Sequence, residues 1–179
     1  VGTRSGTIYA FSAQGGGPGE IVEKVEEKPA GVDGAMAAAA DVIVRESGIK
    51  DGYGLVLDCM DGQLPLELAR RTNLEICAVF DDEAAMMKAR RMYAQAGLNV
   101  RRIASWLRPA GEKLPYPSFF ADLIVSEATV SGGALPKDTE DWSRMLKPIR
   151  GIAMLGGAHE RRTLEDWAGV TAQKGWKVV

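Results

Sequence analysis

Acidic side chains fall where strands are predicted to end, and one of them precedes a glycine and a predicted helix. Asp58 ends an apolar run, and Asp61 and Gly62 follow it in a short turn. Asp81 and Glu127 follow two later apolar runs. In a parallel sheet such strand ends share one edge, where the first turn of a helix offers unpaired N–H groups. This strand–turn–helix unit is suited to a nucleotide-like ligand, although it indicates a fold more than a function.

Other residue types that could carry chemistry are sparse. His159 is the single histidine, which leaves little material for a structural zinc or a His-centred triad. Acidic residues 81–83 start a predicted helix, whose dipole stabilises carboxylates without any metal. The glycines at 156–157 could cradle an anion, but two glycines at a strand end are typical of a turn. We therefore predict no metal site and assign no catalytic side chain.

The composition argues against several classes of partner. Lysine and arginine total 22 and aspartate and glutamate total 24, without the clustered basic excess of nucleic-acid-binding surfaces. The longest apolar runs, such as residues 35–40, are too short to span a membrane. Cys59 and Cys77 lie in predicted strands and are interpreted as buried thiols rather than a disulfide framework. We expect neither nucleic acid nor a membrane as a partner.

The length of 179 residues suits one domain of ordinary size. The chain begins at Val1 without an initiator methionine or a signal sequence, which suggests a piece of a longer polypeptide. Residues 14–19, QGGGPG, are typical of a linker. We divide the chain into an extension with a linker, residues 1–33, and a domain, residues 34–179. The location of the parent protein in the cell stays open.

Strands and helices alternate through most of the domain. Asp33 is a plausible N-cap for an alanine-rich helix that runs to about Glu46, with Gly48 placed to end it. The alternation with apolar strand interiors predicts an α/β fold, doubly wound, with a mostly parallel sheet and helices on both faces. The predicted strands are 55–59, 75–80, 99–104, 121–126, 151–155 and 176–179, and the later helices are 64–72, 83–96, 137–147 and 159–173.

Four sequence phrases add information through their order and spacing. The first is VLDCMDGQLPLELA at residues 56–69, and the second is AVFDDE at 78–83 with KAR at 88–90. The third and fourth are LPY at 114–116 with ADLIV at 121–125, and MLKP at 145–148 with Gly151. Together these phrases resemble the motifs of class I S-adenosylmethionine-dependent methyltransferases. The resemblance covers about residues 34–179 and implies the Rossmann-like fold of that family.

The resemblance also implies S-adenosylmethionine as the cofactor and a cytoplasmic location if that cofactor is used. The cofactor carries a methyl group on a cationic sulfonium, and an incoming nucleophile takes it by in-line displacement, which depends on alignment more than on acids or bases. The family uses a glycine-rich turn for the amino-acid portion, an acid after the second strand for the ribose and a polar residue after the third for adenine. The corresponding candidates here are Asp58, Asp61, Gly62, Asp81, Asp82, Ser105 and Glu127.

The sequence departs from the family pattern at all three of these positions, and after the third strand it has Ser105 and Trp106 where an aspartate is common in the family. The first motif keeps one glycine and is shorter, so the side chains of residues 59–61 are expected to occupy space that a cofactor needs. Aligning on KAR puts Phe80 at the ribose position, whereas a shift by one residue puts Asp81 there.

Two functions from different classes follow. One is an active methyltransferase with an unidentified acceptor; the other is a catalytically inactive methyltransferase-like scaffold or interaction module. A nicotinamide-dependent Rossmann enzyme ranks below both, because the G-x-G-x-x-G spacing is missing after the first strand. Residues 6–11, GTIYAF, resemble one strand of a quinoprotein-type β-propeller repeat, and an ordinary edge strand is the alternative. The scaffold hypothesis would place the domain in a larger propeller-containing protein.

Overall fold

The described part of the molecule is built on one parallel sheet. The computed structural model describes residues 34–156 and Glu165. The Asp33 cap, the propeller-like strand at 6–11, the linker at 14–19 and the final strand at 176–179 lie outside these residues, as does the predicted helix 159–173 apart from Glu165. The elements in chain order are α1 Gly34–Ser47, β1 Tyr53–Cys59, α2 Gln63–Arg71, β2 Glu75–Phe80, α3 Glu83–Gln95, β3 Ile103–Leu107, β4 Leu123–Ser126, α4 Glu127–Val130, α5 Thr139–Ser143 and β5 Ile152–Met154.

The five strands are all parallel, in the order β3-β2-β1-β4-β5. From β1 the chain first adds strands on one side, β2 and then β3, and afterwards adds β4 and β5 on the other side. The order therefore reverses at β1, so the crevice between the carboxyl ends of β1 and β4 is the topological switch point, where ligands of α/β proteins bind.

Two apolar clusters lie on the two faces of the sheet, as the alternation of strand side chains requires. Val56 of β1 packs with residues of α1, α2 and α3 on what we call the helix face. Leu55 and Leu57 pack on the opposite face with Trp142 and Met145, in and beside α5. We call this side the loop face, because the long 108–122 connection and the short helix α5 cover it. The predicted α/β, doubly wound fold is confirmed.

Helix α2 owes its position to a buried apolar surface and one buried acid. Leu64, Leu66 and Leu68 are all buried against the sheet and α1. Glu67 has only 3% of its side chain exposed, and Arg70 donates to it at 2.5 Å while Arg71 donates to its second oxygen. A buried carboxylate is tolerated when it is paired in this way.

The connection across the loop face is held by one side chain of the segment after α5. Arg144 donates to the carbonyls of Tyr116 and Leu114, each at 2.7 Å, and to Asp141 at 3.0 Å. The Leu114 N–H donates in turn to Asp141 at 2.8 Å. These bonds satisfy backbone groups that no strand or helix pairs, and they fix the chain between β3 and β4.

Two predicted elements had wrong boundaries, which a turn and a tertiary hydrogen bond explain, and one short helix was missed. The third strand is Ile103–Leu107 rather than 99–104, because Val100, with φ of 62°, lies in a turn that a strand cannot include. The fifth helix ends at Ser143 rather than 147, because Lys147 donates its N–H to the Ala121 carbonyl. The four-residue helix α4, Glu127–Val130, was not predicted.

The remaining predictions in the first half of the domain are confirmed within two residues. Helix α1 ends at Ser47, and Gly48, with φ of 66°, follows it as the glycine placed to end that helix. Cys59 and Cys77 are free thiols: Cys59 is buried on the helix face as predicted, whereas Cys77 is only partly buried and packs against the loop face. Within the described residues, no helix is long and apolar enough to cross a membrane.

Candidate functional site

The candidate site lies at the carboxyl ends of β1 and β4, the switch point of the sheet. Strand β1 has an irregularity between Val56 and Cys59, and Asp58 within it has φ of 48°. Bulges of this kind redirect a side chain out of the regular alternation. The Asp58 carboxylate accepts a hydrogen bond from the Ser126 hydroxyl at the end of β4, 3.0 Å away. The two strand ends are therefore joined across the crevice by their own side chains.

The turn between β1 and α2 surrounds a carboxylate of the same chain. The Met60 and Gly62 N–H groups donate to Glu127 Oε2 at 2.7 and 3.1 Å, and the Leu64 N–H donates to Glu127 Oε1 at 2.8 Å. We call this arrangement the Glu127 seat. The first turn of a helix is where unpaired N–H groups bind anions, so Glu127 takes the position that an anionic ligand group would otherwise use.

Glu127 is held there with no exposed surface, 0% of the residue being accessible. Burial raises the pKa of Glu127 above its ordinary value, while the three backbone N–H donors act in the opposite direction. The carboxylate exchanges water for three hydrogen bonds, which is the condition under which a buried acid is tolerated. The Glu127 seat therefore connects the end of β4 to the start of α2 through hydrogen bonds.

Gly62 is required at this turn for its backbone and for space. It has φ of 76°, which favours glycine, and its carbonyl accepts a hydrogen bond from the Tyr93 hydroxyl of α3 at 2.9 Å. A Cβ on Gly62 would overlap that hydroxyl and lie 2.7 Å from the Ala89 Cβ. Burial raises the pKa of Tyr93 well above its usual value, so the hydroxyl keeps its proton and remains a donor. Gly62 therefore packs against α3, which leaves no room for a side chain at this position.

The three residues between Asp58 and Gly62 do not line the cavity beside them. Cys59 is buried on the helix face, where its burial raises the pKa of the thiol. Met60 is 57% exposed, and Asp61 accepts a hydrogen bond from the Gln63 N–H at 3.1 Å as a local cap of α2. The side chains of residues 59–61, which were expected to occupy space that a cofactor needs, therefore lie outside the lining of this cavity.

A second group of charges lies where β2 and β3 end. Arg108, directly after β3, donates from Nε and Nη2 to the two carboxylate oxygens of Asp81, both at 2.7 Å. Its Nη2 also donates to Asp58 Oδ1 at 3.1 Å. We call these three residues the Arg108 cluster. The hydrogen bond to Asp81, more than any other contact, raises the pKa of the Arg108 guanidinium further.

A cavity of about 460 Å³ opens beside the Arg108 cluster. Asp58, Asp81 and Ala128 line one side of it, and residues 108–112 and 134–138 line the rest. Among the described residues, the charged groups on its walls are the acids Asp58, Asp81, Glu112 and Asp138 and the bases Arg108 and Lys137. Acids outnumber bases, so the cavity favours a cationic or neutral ligand over an anion.

Two of the predicted site residues, Asp82 and Ser105, do not line the cavity. Asp82 is the N-cap of α3 and accepts a hydrogen bond from the Ala85 N–H at 2.6 Å. Ser105 lies in the middle of β3, not after it, and its buried hydroxyl has no hydrogen-bond partner in the described structure. The position after the third strand, expected for an adenine contact, belongs to Arg108 because β3 starts and ends later than predicted.

Sequence reasoning missed Arg108, Ser126 and Tyr93. Arg108 is the first charged residue after the run Ile103–Leu107, so a correctly placed third strand would have found it. Ser126 and Tyr93 carry no signal of their own, since their partners are 68 and 31 residues away along the chain. No group of three or more His, Cys, Asp or Glu that could hold a metal occurs among the described residues.

No protein-family model matches this chain, and no curated protein sequence matches it either. Several solved structures, however, have a similar fold. A protein from Methanococcus maripaludis, proposed to be an S-adenosyl-L-methionine-dependent methyltransferase, superimposes with a TM-score of 0.60 at 24% identity, over 76% of this chain and 61% of that one. The chain therefore spans about three fifths of that protein's length.

Two further structures agree in fold. A SAM-dependent methyltransferase from Aquifex aeolicus superimposes with a TM-score of 0.64 at 16% identity, covering 78% of this chain and 82% of that one. A geranyl diphosphate methyltransferase in complex with SAM gives a TM-score of 0.55 at 15% identity, over 66% of this chain and 48% of that one. At these identities the likeness concerns architecture. The chain has the Rossmann-like fold that these S-adenosylmethionine-dependent methyltransferases share.

Proposed function

We propose that this domain binds S-adenosylmethionine in the switch-point cavity and acts as a methyltransferase on an unidentified acceptor. The observation that carries the proposal is the cavity of about 460 Å³ beside Asp58 and Asp81, at the carboxyl edge of a methyltransferase-like sheet. Its volume is within the range of about 300–1,000 Å³ that is typical of small-molecule sites. Its position is the one at which α/β folds bind ligands.

The residues at the cavity fit the nucleoside and the sulfonium of this cofactor. The Asp81 side chain is 58% exposed, and a carboxylate has enough acceptor positions to take ribose hydroxyls while it keeps Arg108. Asp58 and Asp81 place negative charge beside the cavity, which favours a cation. When bound, S-adenosylmethionine supplies an electrophilic methyl group on its sulfonium. The protein's part is to orient and enclose it.

Calorimetric titration of the 179-residue chain with S-adenosylmethionine and with its demethylated product tests the proposal. We expect saturable heat with both ligands. Asp81→Ala should weaken binding by roughly tenfold, because a hydrogen-bonded charged group contributes about 1.5–3 kcal/mol. Glu83→Gln is the matched control, since it removes an exposed acid two residues away that does not line the cavity. Absence of heat at about 1 mM ligand, near −4.1 kcal/mol, would contradict the proposal.

A specific observation favours a second candidate, the inactive scaffold. Glu127 already accepts hydrogen bonds from N–H groups at the start of α2, and Arg108 donates to both carboxylate oxygens of Asp81. A domain whose polar groups are satisfied internally could serve as an interaction or spacer module of a larger polypeptide. The same titration separates the two candidates. A chain that unfolds cooperatively but gives no heat with either ligand would support the scaffold.

A further inference from the structure

The backbone N–H groups at and just before the start of α2 already donate hydrogen bonds to side chains of this protein. Glu127 accepts from three of them, at 2.7 to 3.1 Å, and Asp61 accepts from a fourth at 3.1 Å. These N–H groups belong to Met60, Gly62, Gln63 and Leu64. The start of α2 therefore has no N–H group left for a ligand anion, although neither Glu127 nor its donors are among the residues that line the cavity.

Glu127 is not easily displaced from this position. It lies between 63 and 67 residues away in sequence from its three donors, and β4 holds it there by pairing along β1 from Leu123 to Ser126. It has no exposed surface, so a ligand carboxylate that replaced it would leave Glu127 as an unpaired charge in a buried place. Leaving a buried charge without its partners is strongly unfavourable. Displacement of Glu127 by a ligand carboxylate is therefore unfavourable.

Among the residues that the structure describes, the rest of the cavity wall offers no second place for an anion. Arg108 is shared between two carboxylates, Asp58 and Asp81, which offset its positive charge. Lys137 lines the cavity together with its sequence neighbour Asp138 and with Glu112. A ligand carboxylate placed in this cavity would be near more negative than positive groups, without a free helix start to bind it.

We infer that Glu127 determines specificity at this site by standing in for a ligand carboxylate, so that the cavity prefers adenosyl ligands that lack one. The inference rests on the proposed function, since it assumes that the cavity binds an adenosyl group. Ligands of the preferred class are cationic or neutral: an adenosyl sulfonium without the carboxylate, or a neutral adenosyl thioether. The carboxylate of S-adenosylmethionine then contributes nothing to affinity and is disfavoured by the acids around it.

Two probes that differ by one carboxylate test this inference directly. The 179-residue chain is titrated with S-adenosylmethionine and with decarboxylated S-adenosylmethionine under the same conditions. We expect the decarboxylated compound to bind at least roughly tenfold more tightly, in line with the cost of bringing a charge near like charges at a partly enclosed site. Equal affinity, or tighter binding of S-adenosylmethionine, would overturn the inference and leave the proposed function standing. Absence of binding by both compounds would overturn both.

A pair of variants attributes the preference to Glu127. Glu127→Gln removes the charge from the seat, and we expect the affinity ratio of the two probes to fall towards one. Glu112→Gln removes an exposed acid from the cavity wall, and it should weaken both probes while changing their ratio by less than about twofold, because exposed charges are screened by salt. A ratio that falls equally in both variants would overturn the role of Glu127. If Glu127→Gln does not fold, the ratio in the unaltered chain still decides the preference.

Discussion

The Glu127 seat and the Arg108 cluster lie at the same edge of the sheet but differ in burial. In the seat, a carboxylate with no exposed surface accepts three backbone N–H groups. In the cluster, the Asp81 side chain keeps 58% of its surface exposed while it pairs with Arg108. A buried carboxylate is costly to disturb, whereas an exposed ion pair contributes little and rearranges readily. One region therefore maintains the fold, and the other remains available to a ligand.

The strongest test of this difference is removal of the buried carboxylate. Glu127→Ala should lower the free energy of unfolding by about 3 kcal/mol, since the N–H groups of Gly62 and Leu64 lose their acceptor in a buried place. Urea unfolding followed by circular dichroism measures this change. Glu112→Ala, at an exposed acid on the cavity wall, is the control and should cost less than about 0.5 kcal/mol. Equal losses in the two variants would contradict the distinction between the two regions.

The second test concerns the glycine at the turn of the seat. Gly62→Ala should cost about 2 kcal/mol, because φ is positive and a Cβ would overlap the Tyr93 hydroxyl. In a Tyr93→Phe background the hydroxyl is gone, so the same substitution should cost about 1 kcal/mol less. Urea unfolding of the four proteins gives this double-mutant cycle. Additive costs would mean that the hydroxyl does not restrict the turn.

The smallest effect is expected at the Arg108 cluster. Arg108→Ala should change the free energy of unfolding by about 1 kcal/mol or less, because its main partner, Asp81, is largely exposed. Its effect should shrink further in 0.5 M salt, where exposed charges are screened within about 4 Å. Thermal unfolding at low and high salt measures both quantities. A loss as large as that of Glu127→Ala would show that the cluster is a structural element like the seat.

The sequence was sufficient for the fold because its signals are local. The apolar run before Asp58, the glycine at 62 and the apolar spacing of α2 and α3 placed β1, α2, β2 and α3 within two residues. It was insufficient where a turn interrupts a strand-like pattern. Residues 99–102 look strand-like, but the turn at Val100 moves β3 to Ile103–Leu107 and brings Arg108, not Ser105, to the sheet edge.

The residues of the site likewise fall into two groups, those whose contacts follow from local sequence and those whose contacts do not. Asp61 and Asp82 accept hydrogen bonds from N–H groups two and three residues ahead, so their caps follow from local sequence. Asp58, Asp81 and Glu127 were placed at one edge of the sheet because parallel strands end together. Their partners were not predicted, since each of them contacts at least one residue distant in sequence.

By itself, the sequence determined that strands and helices alternate, that a glycine turns the chain after the first strand, and that acids follow the strand ends. The periodicity of apolar residues and the backbone freedom of glycine are properties of short segments, so no tertiary information was needed. Only the tertiary structure decided that Glu127 fills the start of α2 and that Arg108 binds Asp81. The pairing of β4 beside β1, and of β3 beside β2, brings these groups within hydrogen-bonding distance, and no local pattern encodes which strands become neighbours.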